Sequence, residues 1–104
     1  MDIIINSDNN VESTLDFKNN FREELTHSLR RFDSYITRFE VFFSDESSNK
    51  DTQDDHKCVI EARMKGRNPE RVSDNGNTPK EAFDGAVSKI KSVLDRVVDQ
   101  QRGY

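Results

Sequence analysis

The chain has 104 residues, 32% of them apolar and 35% charged, which is enough for one small domain and too few for two. Its 16 basic and 20 acidic side chains give a net charge of −4 and exclude a uniformly basic protein that coats nucleic acid. Low apolar content is a mark of disorder, but seven Phe and regularly spaced apolar residues argue for a packed core. The single cysteine, Cys58, excludes a disulfide framework within one chain and suits a reducing, cytoplasmic setting. The N-terminus has no basic leader, and no apolar run is long enough to span a membrane.

Residues 2–6 open on Ile3, Ile4 and Ile5 and run into the turn-prone segment Asn6-Ser7-Asp8-Asn9-Asn10, which predicts a short strand and a loop. From Thr14 to Phe32 the apolar residues Phe17, Phe21, Leu25, Leu29 and Phe32 step by three or four, the stripe of a helix. Thr14 or Ser13 can cap it, with Asp16 in the first turn and Arg30 and Arg31 in the last. Ile36 to Ser44 alternates, placing Phe39, Val41 and Phe43 on one side and Arg38, Glu40 and Phe42 on the other. His56 to Lys65 repeats the pattern, with Cys58, Ile60, Ala62 and Met64 opposite Lys57, Val59, Glu61, Arg63 and Lys65.

The polar segment 44–55 between these strands is expected to be a long, mobile hairpin loop. A further strand is signalled around Glu70 to Asp74, before the turn-like run Asp74-Asn75-Gly76-Asn77. Thr78-Pro79-Lys80-Glu81 is a capping box with Pro at the first helical position. The wide stripe of Ala82, Phe83, Ala86, Val87, Ile90, Val93, Leu94, Val97 and Val98 follows, with fraying expected over 100–104. Gly85 inside this helix costs about 1 kcal/mol relative to Ala, and close approach of the neighbouring helix would account for it. The order β-α-β-β-β-α predicts a single α+β domain over 1–104, a four-stranded sheet with two helices packed on one face. The other sheet face is left open.

Charge is segregated along the chain. The segment from Ser44 to Asp55 alone sums to −4, whereas Lys57 to Arg71 sums to +3, so the overall value describes no particular surface. Candidates for catalysis are few. His27 falls on the polar side of the first helix. His56 with Cys58 and the preceding Asp54 and Asp55 suggests a soft metal site, but the alternation turns Cys58 inward, as expected of a buried structural thiol. No carboxylate group has the spacing of a calcium loop, and the four Gly are scattered singly, so there is no phosphate-cradling loop. The reading is of a non-enzymatic protein without metal, cofactor or small-molecule substrate.

Binding is left. The first helix offers Lys18, Arg22, Arg30 and Arg31, and the second Lys80, Lys89, Lys91, Arg96 and Arg102. A solvated helix surface with local pairs such as Lys91 with Asp95 and an RNA-facing surface fit these residues equally well.

The segment Glu81-Ala82-Phe83-Asp84-Gly85-Ala86-Val87-Ser88-Lys89-Ile90 resembles the signature helix of the ribosome hibernation-promoting factor and ribosome-associated inhibitor (protein Y) family, short form. The asparagine-rich turn before Thr14-Leu15 and the run Arg30-Arg31-Phe32-Asp33 extend the resemblance over nearly the whole chain. The resemblance implies a fold similar in outline to double-stranded-RNA-binding domains. It also implies a seat on the small ribosomal subunit, in the channel for mRNA and tRNA anticodon ends, where translation is blocked under stress. By position it implies roles in RNA binding for Lys89, Arg96, Arg30 and Arg31, to which Arg22 and Lys91 are added as helical cations and Arg63 and Lys65 from the third strand. Glu23, Glu24, Ser92 and Asp95 depart from the family pattern, lying where cations are common. The alternative is a protein-interaction module, or a homo-oligomer, that uses Phe42 and Val59 on the open sheet face.

Overall fold

A computed structural model describes residues 2–8, 11, 14–45 and 55–101. The elements are β1 (Asp2–Ser7), α1 (Leu15–Ser28), a one-turn 3-10 helix (Arg30–Phe32), β2 (Ile36–Asp45), β3 (His56–Met64), β4 (Glu70–Gly76) and α2 (Pro79–Gln101). They form one four-stranded sheet in the order β1-β2-β3-β4. β1 runs parallel to β2, the outcome of a β-α-β crossover through α1, and the remaining pairs are antiparallel.

Most expected elements appear in place, with local differences that have physical causes. The first helix ends its regular turns at Ser28 and tightens into the 3-10 turn, while Leu25, Leu29 and Phe32 stay buried along one stripe. Its N-cap is Thr14, whose Oγ1 accepts from the Phe17 amide at 3.1 Å. At the start of α2 the Glu81 amide donates to Thr78 Oγ1, and Glu81 Oε2 accepts from the Asn77 amide. The reciprocal arm of the capping box therefore reaches one residue further back than the sequence motif implies.

The last strand runs to Gly76 rather than stopping at Asp74, because His56, Lys57 and Cys58 of β3 pair with Gly76, Asn75 and Asp74. Lys65 falls past the end of β3, in the turn built around Gly66 with φ 77°. Residues 46–54 of the expected acidic loop lie outside the described residues, whereas Ser44 and Asp45 belong to β2. The helix continues through Gln100 and Gln101, where the sequence predicts fraying, and 102–104 lie outside the described residues.

The core sits between the helices and the sheet. Phe39, Val41 and Phe43 of β2 and Cys58, Ile60 and Ala62 of β3 are fully buried beneath Leu25, Phe83, Ile90 and Leu94. Four Phe from three elements cluster around Phe21, whose ring centroid lies 4.9 Å from Phe17, 4.8 Å from Phe43 and 4.7 Å from Phe83 in edge-to-face or tilted contacts. Burial pushes the Cys58 thiol up to about 12, with the nearby Asp74 carboxylate adding to the shift. Gly85 does not meet the neighbouring helix. It meets the sheet: a Cβ there would lie 1.8 Å from Asp74 Oδ2 on β4.

Both helices run in the same direction. Phe21 packs on Phe83, Lys80 bonds to Glu24, and further along Arg31 bonds to Asp95. The end of α1, the end of α2, the start of β2 and the end of β3 consequently share one end of the molecule. Asp45, Asp55 and the starts of both helices lie at the other.

Candidate nucleic-acid interface

A helix turns by about 100° per residue, and this divides the cations of α2. Ile90, Leu94 and Val97 define the buried side. Lys89 and Arg96, seven residues apart, lie on one flank and are both exposed, about 10 Å apart along the axis. Lys91 lies on the opposite flank and is half-buried. Between them the outward crest carries Ser88, Ser92, Asp95 and Asp99 rather than cations.

The expected local pairing of Lys91 with Asp95 is replaced by contacts across the fold. Arg31 Nη2 donates to Asp95 at 2.8 Å, and its guanidinium sits 4.6 Å from the Phe32 ring centroid. Lys89 Nζ donates to the Ser73 carbonyl at 2.9 Å and lies 3.5 Å from Asp74 Oδ1, capping the free edge of β4. Lys80 Nζ bonds to Glu24 and, at 2.9 Å, to Asp84, and these carboxylates, Glu24 first, raise its pKa above the ordinary value. Two of the acidic departures, Glu24 and Asp95, thus tie α2 to α1 and to the 3-10 turn. Exposed pairs of this kind are each worth about 0–1 kcal/mol.

Arg22 Nη1 donates to Asn19 Oδ1 at 2.8 Å within its own helix. Arg30, Lys91, Arg96 and Lys65 make no ion pair among the described residues. Arg63 is fixed by Glu40 at 2.8 Å and lies 3.5 Å from Glu61. The structure therefore brings Arg30, Arg31, Arg96, Arg63 and Lys65 to one end of the molecule, and leaves Arg22 and Lys89 away from it, midway along their helices.

The same end holds two arginines that periodicity did not single out. The β2–β3 register shifts between Ile36 and Arg38, and Thr37 Oγ1 donates to the Arg63 carbonyl at 3.0 Å. This bulge sets Arg38 directly opposite Arg63, and the turn at Gly66 carries Arg67 alongside. A cleft of about 480 Å³ lies between them, lined also by Asp2, Thr37 and Pro69. Alternating charges Arg38, Glu40, Glu61 and Arg63 hide this cluster in the sequence, because the bulge that assembles it leaves no mark on the pattern.

On the open sheet face Phe42 and Ile4 are exposed, and Val59 is opposite Phe42 in the β2–β3 register. His56 is half-buried, with Nδ1 lacking a partner, and no group of three His, Cys, Asp or Glu converges among the described residues. No helix among them is long and apolar enough to cross a membrane.

A family model described as Sigma 54 modulation protein / S30EA ribosomal protein matches residues 4–102. The chain belongs to this family. Two solved structures share the fold. The N-terminal domain of Protein Y from Thermus thermophilus superposes with a TM-score of 0.73 at 18% identity, covering 93% of this chain and 99% of that one. A ribosomal subunit interface protein from Coxiella burnetii gives a TM-score of 0.70 at 15% identity, covering 95% and 99%. No curated protein matches the chain. Membership in the Sigma 54 modulation / S30EA family agrees with the resemblance carried by the Glu81–Ile90 motif, and the β-α-β-β-β-α sheet agrees with the architecture expected of it.

Proposed function

We propose that this member of the family is a non-enzymatic ribosome-associated factor that binds small-subunit ribosomal RNA in the cytoplasm and inhibits translation, holding ribosomes in hibernation. The observation that carries this reading is the family match over 4–102, joined to the gathering of Arg30, Arg31, Arg96, Arg63 and Lys65 at one end of the fold. Cations matched to RNA phosphates release counterions on binding, so affinity falls steeply with salt. Lys89, Lys91 and Arg22 are the flanking helical contacts in this reading.

The test is cosedimentation of the purified protein with small subunits and whole ribosomes across a salt series. Saturable binding near physiological salt is expected. Arg30→Glu with Arg96→Glu should weaken it and flatten the log–log salt dependence by about two units, near one for each phosphate no longer neutralised. A folded protein that fails to pellet even at low salt would refute the proposal.

A further inference from the structure

We infer that the cleft between Arg38, Arg63 and Arg67 is a phosphate-binding site, and that it anchors RNA at the end of the sheet. The inference rests on the ribosome-binding reading for the source of the phosphate, although not for the chemistry of the cleft. Three guanidinium groups from three separate places, β2, β3 and the turn after β3, converge on one opening of about 480 Å³. One carboxylate, Asp2, lines it with them.

The hydrogen bonds already made leave donors for a ligand. Arg63 is held through Nε, which donates to Glu40 at 2.8 Å and fixes the orientation of its fork. Arg38 Nη2 reaches Glu40 only at 3.5 Å, and its Nε is buried without an acceptor among the described residues. Arg67 lies 3.8 Å from Glu70, beyond hydrogen-bond distance. Each guanidinium carries five N–H donors in a planar fork that matches two oxygens of a phosphate. An ammonium cluster would offer charge without that geometry.

Position adds to chemistry. Lys65 stands in the same turn as Arg67 and makes no ion pair among the described residues. The turn needs Gly66, at φ 77°, to carry Arg67 over the opening, and the bulge at Ile36–Arg38 brings Arg38 beside Arg63. Two irregularities thus assemble the site. Arg30 and Arg31 end the crossover that leads into β2 and lie at the same end of the fold, on the helix side of the sheet.

A phosphate could come from an RNA backbone or from a free phosphorylated molecule, and two measurements separate them. In the first, the Arg38→Gln, Arg67→Gln double variant is cosedimented with small subunits across salt beside the wild type, with circular dichroism confirming that it is folded. The expected result is a log–log slope flatter by about two units. In the second, the arginine Nε–H resonances of the wild type are followed by NMR as inorganic phosphate and then adenosine monophosphate are added. Saturable shifts at Arg38, Arg63 and Arg67, with none at Arg96, are expected.

Shifts without any change in sedimentation would assign the cleft to a free phosphorylated ligand and remove RNA from the proposal. No shift together with an unchanged slope would overturn it. If the wild type does not bind ribosomes at all, the proposed function falls by itself. The NMR titration then decides the cleft alone, with shifts sustaining it and no shifts refuting it.

Discussion

Gly85 offers a sharp test of how α2 meets the sheet. In an open helix interior, Gly85→Ala would gain about 1 kcal/mol. Here the new methyl would sit 1.8 Å from Asp74 Oδ2 and 2.7 Å from its Cγ, so the carboxylate must swing away. That movement breaks the bond from the Asn75 amide to Asp74 Oδ1, worth about 1 kcal/mol, and the exposed Lys89 pair, worth about 0.5 kcal/mol. An off-rotamer side chain adds about 1 kcal/mol. The balance is a net destabilisation of about 1–2 kcal/mol. In an Asp74→Ala background the carboxylate is gone and the nearest remaining side-chain atom is the Asp74 Cβ at 3.1 Å, still tight. Gly85→Ala should there recover about half its intrinsic gain, which makes the coupling between the two positions about 2 kcal/mol. Urea denaturation of the four proteins of the cycle, fitted with a common slope, measures it. If Gly85→Ala stabilises the wild type, or has the same effect in both backgrounds, Asp74 does not enforce the glycine and the account is wrong.

Two further outcomes follow from named groups. The Cys58 thiol keeps its proton to about 12 when folded, against 9.0 as its ordinary value, so above pH 9 the folded state binds more protons than the unfolded one. Stability from this group is therefore complete below pH 9 and declines by about 1.4 kcal/mol per pH unit as pH rises toward 12; denaturation midpoints at pH 8.5 and 10 should show a fall that Cys58→Ala reduces. Asp95→Arg should free Arg31 from its 2.8 Å pair and add a cation beside it. The expected result is a ribosome-binding salt slope steeper by one to two units at a stability cost under about 1 kcal/mol, and unchanged sedimentation would separate that flank of α2 from the RNA.

The fold was legible where one face of an element is buried. Phe39, Val41 and Phe43 against Arg38, Glu40 and Phe42 give β2 its faces, and Thr78 to Glu81 mark where α2 begins. β4 was blurred because Asp74-Asn75-Gly76 has the composition of a turn, and only pairing with β3 and the fit of Asp74 against Gly85 make it strand. The site was legible by residue type but not by partner. Arg31 and Asp95 are 64 residues apart, and nothing local joins them. Arg38 and Arg67 were missed for the same reason, since a bulge and a left-handed glycine set their positions without altering the apolar pattern.

The directions of the elements explain how a chain of net charge −4 can present a cationic surface. Parallel helices and a parallel β1–β2 pair send Arg30, Arg31 and Arg96 to the end where β2 starts, the same end as Arg38, Arg63 and Arg67 but on the helix side of the sheet. Asp45, the last residue of β2, is seven residues further along the strand, about 23 Å away. At physiological salt the Debye length is about 8 Å, so carboxylates at that distance are screened by nearly three lengths and do little to cancel the arginines. The charges that do compete are local, among them Asp2, Glu40, Glu61, Glu70 and Asp95, each within or beside the cationic end. Affinity for a polyanion is accordingly governed by local carboxylates of this kind more than by the net charge. Reversing one of them should matter more than reversing Asp45 or Asp55.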